Sequence, residues 1–219
     1  MAGTTSSIGR KYAMALSAMF LLIFLVIHLS TNLLSIFSED NFNSASHFMG
    51  YNPAVQFLMQ PILIFAVVFH FVMGFVLEIR NNNARPVKYA MNKGSANSTW
   101  MSRNMIISGA VVLAFLALHF YDFWLPEIGY KYIQGNNPDE LRYWEEMHYK
   151  FHDIWRVVLY IIAFILLGLH LAHGFQSSFQ SVGARHPKYT PFIKAFGNWY
   201  SVLIPLGFII IAIYHFVTQ

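Results

Sequence analysis

The chain has 219 residues, of which 56% are hydrophobic and only 11% are charged. A soluble domain carries about 25% charged residues, so this composition excludes an ordinary soluble globular protein. The absence of cysteine excludes disulfides and thiolate-bound iron–sulfur clusters within the chain. The net charge of +4 is explained by the placement of basic residues in particular loops, and we expect no nucleic-acid partner.

Five apolar segments are long enough to cross a bilayer, which takes about 20 residues of helix. They cover about residues 12–37, 55–79, 104–125, 154–179 and 198–217, and are called spans I to V. Span I is too long for the apolar region of a signal peptide, and no small-residue cleavage site follows it, so we expect it to be retained. The sequence predicts an all-α membrane protein, with one transmembrane domain over residues 1–219.

Lysine and arginine are concentrated in three regions on one side of the predicted bundle. They are Arg10, Lys11, Arg80, Arg85, Lys88, Lys93, Arg103, Arg185, Lys188 and Lys194. The I–II loop has no basic residue, and the III–IV loop, residues 126–153, is net acidic. The positive-inside rule therefore predicts a multi-pass protein with a cytoplasmic N-terminus and an external C-terminus. The basic loops either set this topology alone or also dock a cytoplasmic partner.

Histidines lie within the predicted spans, where ionisable residues are costly and usually functional. From a helical rise of about 1.5 Å per residue, His28 and His119 both fall about 22 Å from the cytoplasmic ends of their spans. His70 and His170, on spans of the opposite direction, fall roughly 12–14 Å from that same side. Four helices thus supply one histidine each, in two layers roughly 10 Å apart.

Facing imidazoles at two depths in a bundle are suited to haem iron. Bundle cores are common sites for cofactors held between facing helices, whereas a histidine pair is too small for a four-ligand zinc site. A porphyrin supplies the other four ligands, and filling both axial positions with imidazole favours electron transfer. We therefore expect the first four helices to surround two stacked haems, one held by His28 and His119 and the other by His70 and His170.

An internal repeat distinguishes His170 from its neighbour His173. Residues 70–75 read HFVMGF and residues 170–175 read HLAHGF, so both segments have the pattern H-x-x-x-G-F. Gly74 and Gly174 lie on the histidine face of each helix, where a missing side chain lets a flat macrocycle approach the backbone. In this register His170 is the ligand, and His173 is a second-shell donor, a propionate contact or simply a buried polar residue.

Other polar residues are weaker candidates. Ser17 lies three helical turns before His28 on the same face and is a candidate hydrogen-bond donor to a haem propionate, with Arg10 and Arg103 as charge partners. Asp122, one turn after His119, is either a proton-handling group or the partner in a salt bridge within the bundle. The i, i+4 pair His148 and His152 lacks the order of a zinc-protease motif, and we expect no metal there.

The five spans, the four histidines in two layers and the loop FNSASHFM (42–49) together resemble a known family. It is the di-haem cytochrome b membrane anchor of succinate:quinone oxidoreductases with a single anchor subunit, and the loop resembles that of Bacillus-type succinate dehydrogenases. The resemblance covers essentially the whole chain. It implies that His28 and His119 ligate a distal haem b, and that His70 and His170 ligate a proximal haem b.

The resemblance also implies the partners and the reaction. A flavoprotein and an iron–sulfur subunit would dock on the cytoplasmic face of a bacterial inner membrane. Electrons would pass from the iron–sulfur subunit through the two haems to a membrane quinone, for which menaquinone fits the family better than ubiquinone. The anchor would thus belong to an enzyme whose dicarboxylate chemistry lies in a partner subunit.

Two positions depart from the family pattern. Fumarate reductases with a transmembrane proton path carry a glutamate where this chain has Gly168, so the resemblance favours succinate oxidation over fumarate reduction. The family's outer quinone site often includes a carboxylate where this chain has Gly50. Candidates to replace it are Asn43, His47, Glu39 and Asp122.

Alternative interpretations remain open at the level of the sequence. One is a quinol:fumarate reductase anchor working in the reverse direction, and another is an unrelated di-haem membrane cytochrome. Cytochrome b of bc complexes does not fit, because no span carries two ligands about fourteen residues apart. A proton-coupled transporter, which would use intramembrane histidines as relays, and an anchor that has lost its haems are the remaining alternatives.

Overall fold

A computed structural model describes residues 7–83 and 105–219, and every regular element within these ranges is helical. The α-helices are α1 Ser7–Phe37, α2 Glu39–Tyr51, α3 Gln60–Asn83, α4 Met105–His119, α5 Leu125–Ile128, α6 Arg142–Lys150, α7 Ile154–Ser181 and α8 Thr190–Val217. Three π-helical segments adjoin them: π1 Val55–Met59, π2 Phe120–Trp124 and π3 Gly129–Ile133. Such π turns occur frequently at functional sites.

Five helical runs are long and apolar enough to cross a membrane, which confirms the predicted five-span all-α fold. They are Ile8–Phe37, Val55–Asn81, Met105–Ile133, Ile154–Ser181 and Thr190–Val217, and we keep the names span I to span V. Span III is longer than predicted because π2, α5 and π3 continue it without a break. We call the end of the bundle that carries α2 and α6 the outer end, after the orientation predicted from the loop charges.

Span IV packs against spans I, III and V. Its buried side chains include Phe164, Leu167 and Leu171, and they meet Phe208 of span V in the common core. The outward faces of all five spans are lined by exposed large apolar side chains. This distribution is the one expected of helices surrounded by lipid, where apolar surface has no reason to be buried.

Spans IV and V approach each other closely around Gly168. Pro205 lies inside span V and has no N–H to donate to the carbonyl of Ser201, four residues earlier. A Cβ atom built on Gly168 would lie only 2.9 Å from that carbonyl oxygen and 3.4 Å from Cγ of Pro205. This packing therefore requires glycine at position 168.

The two helices at the outer end are fastened to each other and to span I by hydrogen bonds. The Asn43 amide of α2 donates to the Leu141 carbonyl over 3.1 Å and accepts from the Trp144 backbone N–H over 2.7 Å. The Trp144 indole donates to the Ser35 carbonyl of span I over 2.9 Å. These bonds hold α6 against the outer mouth of the bundle.

Candidate functional site

The structure brings together the two histidine pairs expected from their depths. The ring centroids of His28 and His119 are 5.8 Å apart, and those of His70 and His170 are 6.5 Å apart, with ring planes at 85° and 77°. Metal–nitrogen bonds of about 2 Å would separate the centroids of two trans imidazoles by roughly 6 Å. Each pair therefore has the spacing that a single iron between two imidazoles requires.

A serine hydroxyl contacts each histidine of the inner pair. Ser17 Oγ lies 3.2 Å from Nδ1 of His70, and Ser108 Oγ lies 3.1 Å from Nδ1 of His170. Both hydroxyls also donate to a backbone carbonyl one turn earlier, over 2.8 and 2.9 Å. Because each hydroxyl proton is used in this way, the imidazole Nδ1 must donate, which leaves the Nε2 lone pair free to bind iron.

The outer pair is held by aromatic contacts instead. His28 stacks on Phe24, and His119 stacks on Phe115, each four residues earlier on the same helix. Nδ1 of His28 is 3.4 Å from the Asn32 amide nitrogen, whereas the buried Nδ1 of His119 has no hydrogen-bond partner among the described residues. An orphaned buried nitrogen beside a facing imidazole is what a site for a larger group would present.

A cavity connects the outer pair to the surrounding helices. It is partly open to the surface, and His28 and His119 both line it. Most of the remaining wall is aromatic and aliphatic, with Gln60 and Trp124 among the lining residues of spans II and III. A large, flat and mostly apolar group is the kind of ligand that such a wall accommodates.

The remaining haem candidates are distributed along the inner part of the bundle. Gly174 has open space around its Cα, and a Cβ on Gly74 would meet only Cε of Met14, at 3.7 Å. Arg10 and His173 are both partly buried. Arg103 lies outside the described residues, so its predicted role stays a prediction.

Asp122 lies at the outer end of span III, within π2, and its side chain is fully buried. The Tyr160 hydroxyl donates to Oδ2 over 2.8 Å, and Nη1 of Arg156 lies 3.0 Å from Oδ1. Lys150 approaches the same oxygen at 3.9 Å. Asp122 therefore forms an ion pair within the bundle. Tyr160, which lines the cavity, connects this ion pair to the cavity wall.

A second polar assembly occupies the outer end, and we call it the outer polar cluster. It consists of His47, Tyr51, Glu127, Lys131, Arg142 and Tyr143. Glu127 forms ion pairs with both Lys131 and Arg142, whose side chains are only 6% and 8% exposed. The Arg142 guanidinium also lies 4.4 Å from the centroid of the Tyr143 ring.

Several polar atoms of the outer polar cluster are buried without a hydrogen-bond partner in the part of the chain that the structure describes. They are His47 Nδ1, Tyr51 Oη, Arg142 Nε and Tyr143 Oη. Desolvation by burial, followed by the charge of Glu127, raises the pKa of both Tyr51 and Tyr143, so both phenols keep their protons. The cluster therefore presents hydrogen-bond donors to whatever oxygen atoms enter it.

Gly50 lies against this cluster, because a Cβ built on it would be 2.8 Å from Nζ of Lys131 and 3.2 Å from Oε1 of Glu127. The Gly50 carbonyl accepts a hydrogen bond from Lys131 over 2.6 Å. Of the predicted quinone-site residues, only His47 belongs to the cluster. Both polar groups of the Asn43 side chain are used in bonds to the 141–144 segment, and Glu39 is exposed in the first turn of α2.

Sequence reasoning missed Ser108, the outer polar cluster and a partly buried contact between His148 and His215, whose Nδ1 atoms are 3.0 Å apart. Ser108 makes with His170 the contact that Ser17 makes with His70, but no sequence motif marks it. No group of three or more histidine, aspartate or glutamate side chains within residues 7–83 and 105–219 is arranged to hold a metal ion. Comparisons with protein-family models, curated proteins and solved structures find no match for this chain.

Proposed function

We propose that the chain is the di-haem cytochrome b anchor of a bacterial succinate dehydrogenase. The single observation that carries the proposal is the meeting of four histidines from four helices as two pairs, at centroid distances of 5.8 and 6.5 Å. One haem bound within each pair would transfer single electrons across the membrane. The proposed partners are a flavoprotein and an iron–sulfur subunit on the cytoplasmic face.

The chain's own residues have distinct tasks in this proposal. The imidazoles of His28 and His119 would hold one haem iron and those of His70 and His170 the other, and an iron held by two imidazoles would have no place for oxygen. The serine hydroxyls orient the inner imidazoles and fix their tautomer, which raises their strength as ligands. The aromatic wall of the outer cavity would surround a bound haem with apolar side chains.

Succinate oxidation is the favoured direction because span IV has no room for a carboxylate at position 168. The Ser201 carbonyl lies too close to Gly168 for a side chain, so a proton path of the kind proposed from the family resemblance has no carboxylate there. The proposed direction leads from succinate to a quinone of low potential, with menaquinone as the proposed acceptor. The reverse reaction with fumarate uses the same haem sites and remains the alternative.

The experiment that tests this function uses membranes that contain the whole complex. We expect succinate to reduce the b-type haems, seen as a change in their absorbance spectrum, and an oxidised quinone analogue to reoxidise them. A His70→Ala variant, which removes an inner ligand, should block reduction of the outer haem by succinate while dithionite still reduces it. Membranes in which succinate leaves the haem spectrum unchanged would contradict the proposed function.

We place the proposed quinone head group at the outer end, near the outer polar cluster. Its unpartnered donors suit the two carbonyl oxygens of a quinone, and Glu127 supplies a carboxylate beside Gly50. Removing one neutral hydrogen bond costs about 0.5–1.5 kcal/mol, which is roughly 2- to 10-fold in binding. We therefore expect Tyr143→Phe to raise the KM for quinone by that factor, without changing the haem spectrum, whereas the exposed control Tyr149→Phe should leave KM unchanged.

A further inference from the structure

A chain of hydrogen bonds joins the outer surface to the helical turn that carries His28. Nδ1 of His148, on α6, is 3.0 Å from Nδ1 of His215 on span V. Nε2 of His215, which is 0% exposed, is 3.0 Å from the Ser35 hydroxyl. That hydroxyl donates to the Asn32 carbonyl over 2.6 Å, and the Asn32 amide donates to the His28 carbonyl over 2.7 Å.

The donors and acceptors of this chain fix its protonation pattern. Because Ser35 gives its hydroxyl proton to Asn32, it must accept from His215, which is therefore protonated at Nε2. Nδ1 of His215 is then an acceptor, so Nδ1 of His148 carries the proton between the two rings. His148 is left with a free Nε2 lone pair, which can take up one further proton.

The surroundings of His148 permit such protonation at mildly acidic pH. Its ring stacks on Trp144 at 4.5 Å, and His152 lies edge-on at 4.8 Å. Burial and, next, the nearby His152 lower the pKa of His148 below its usual value of 6.5, while Glu39 of α2 opposes that shift. Glu145, Glu146 and Tyr149 line the same surface cleft, so protons from water reach this ring.

The buried partner His215 faces few charges. Its ring contacts Trp144, Phe151 and Tyr214, and Ser35 is its neighbour on span I. Ser35 lies seven residues after His28, a rise of about 10 Å along the helix. A proton on the His148–His215 pair therefore lies within a few helical turns of His28, in surroundings where charge is poorly screened.

We propose that the His148–His215 pair is a proton-binding site coupled to the electron held between His28 and His119. The inference rests on the proposed function, because it needs an electron carrier between those histidines. When one electron arrives at the outer pair, one proton from external water binds to His148, and an N–H bond is the only bond formed. The proton leaves to the same water when the electron moves on.

The proton site can be tested without any bound group, through the fluorescence of Trp144. An imidazolium quenches an indole on which it stacks. We expect the fluorescence difference between the full chain and its Trp144→Phe variant to decrease as pH falls below 6.5, and His148→Gln to abolish that change. A Trp144 signal that is constant between pH 7.5 and pH 4.5 would show that His148 takes up no proton and would overturn the proposal.

The coupling is tested by the midpoint potential of the outer haem as a function of pH. A positive charge nearby stabilises the reduced form, so the potential should fall as pH rises through the titration of His148. We expect the potential to become independent of pH in His148→Gln. In the control His152→Gln, the potential should still fall as pH rises, but at a higher pH, because His152 lowers the pKa of His148. A potential that is independent of pH in the unmodified protein, or a dependence that survives His148→Gln, would overturn the coupling.

These outcomes are separable from failure of the proposed function. A purified protein without haem absorbance contradicts the di-haem function, and the fluorescence titration then still decides whether His148 is a proton site. A protein with two haems and a pH-independent outer potential contradicts only the coupling. Unchanged haem spectra in the two glutamine variants show that the fold is retained.

Discussion

The Ser108 hydroxyl lies 3.1 Å from Nδ1 of His170 and repeats, on span III, the contact that Ser17 of span I makes with His70. In both cases the serine and the histidine belong to different helices, so the imidazole is oriented by a neighbour rather than by its own turn. Metal-binding histidines commonly donate their second N–H to such a partner. The inner pair is therefore pre-organised for ligation through Nε2.

Replacing Ser108 by alanine should weaken haem binding at the inner pair. Loss of a second-shell partner typically lowers metal affinity by about 10- to 100-fold, and we expect an effect of this size on haem retention. The measurement is haem content per chain after dialysis against a haem-binding protein. The control is Ser178→Ala, because the Ser178 hydroxyl bonds only the Phe175 carbonyl, and equal loss in both variants would refute the orienting role.

The two histidines of the HLAHGF segment should behave differently. His170 faces His70 across the bundle at 6.5 Å, whereas His173 lies one turn further along span IV. We expect His170→Ala to lose the inner haem and to halve the haem content, and His173→Ala to retain both haems. Haem extraction and quantification would decide this, and loss of a haem from His173→Ala would exclude the proposed register.

Gly168 should tolerate no side chain. A methyl group there would press on the Ser201 carbonyl, and overpacking of this kind costs about 1–3 kcal/mol. We expect Gly168→Ala to lower the thermal unfolding temperature in detergent. Gly174→Ala, six residues along the same helix with open space around it, is the matched control and should unfold close to the unmodified protein. Equal stability of the two variants would be incompatible with the close IV–V contact.

Glu127 should be required for the stability of the outer end. Its removal leaves buried Lys131 without its carboxylate partner and leaves Arg142 with Glu146 as its carboxylate, and breaking a buried ion pair costs about 3–5 kcal/mol. Because Glu127 is itself 22% exposed, we expect Glu127→Gln to cost about 3 kcal/mol, at the lower end of that range. The control Glu140→Gln removes only an exposed partner of His47 and should cost less than about 1 kcal/mol in the same unfolding measurement.

Much of the fold follows from the sequence because the lengths of apolar runs are a strong signal. All five spans were predicted, and the depth of each histidine follows from the regular rise of a helix. Depth alone also indicates which histidines can face each other. It does not give the rotation of a helix about its axis, so the contact between Ser108 and His170 could not be predicted.

The outer end could not be predicted for a different reason. Its polar groups come from segments far apart in the chain, such as Gly50 beside Glu127 and His148 beside His215. No local sequence pattern predicts contacts between residues so far apart. The three π-helical segments at this end have no simple sequence signal either. The candidate Asn43 shows the same limit, because its sequence position does not indicate that its amide bonds Leu141 and Trp144.

The central claim is that each of the two histidine pairs binds one haem, and the reduced-minus-oxidised spectrum of the purified chain tests it most directly. We predict the spectrum of bis-imidazole b-type haem, with two haems per chain. Replacing His28 or His119 should remove only the outer haem, and replacing His70 or His170 only the inner one. A flat spectrum from a correctly folded chain would contradict the account.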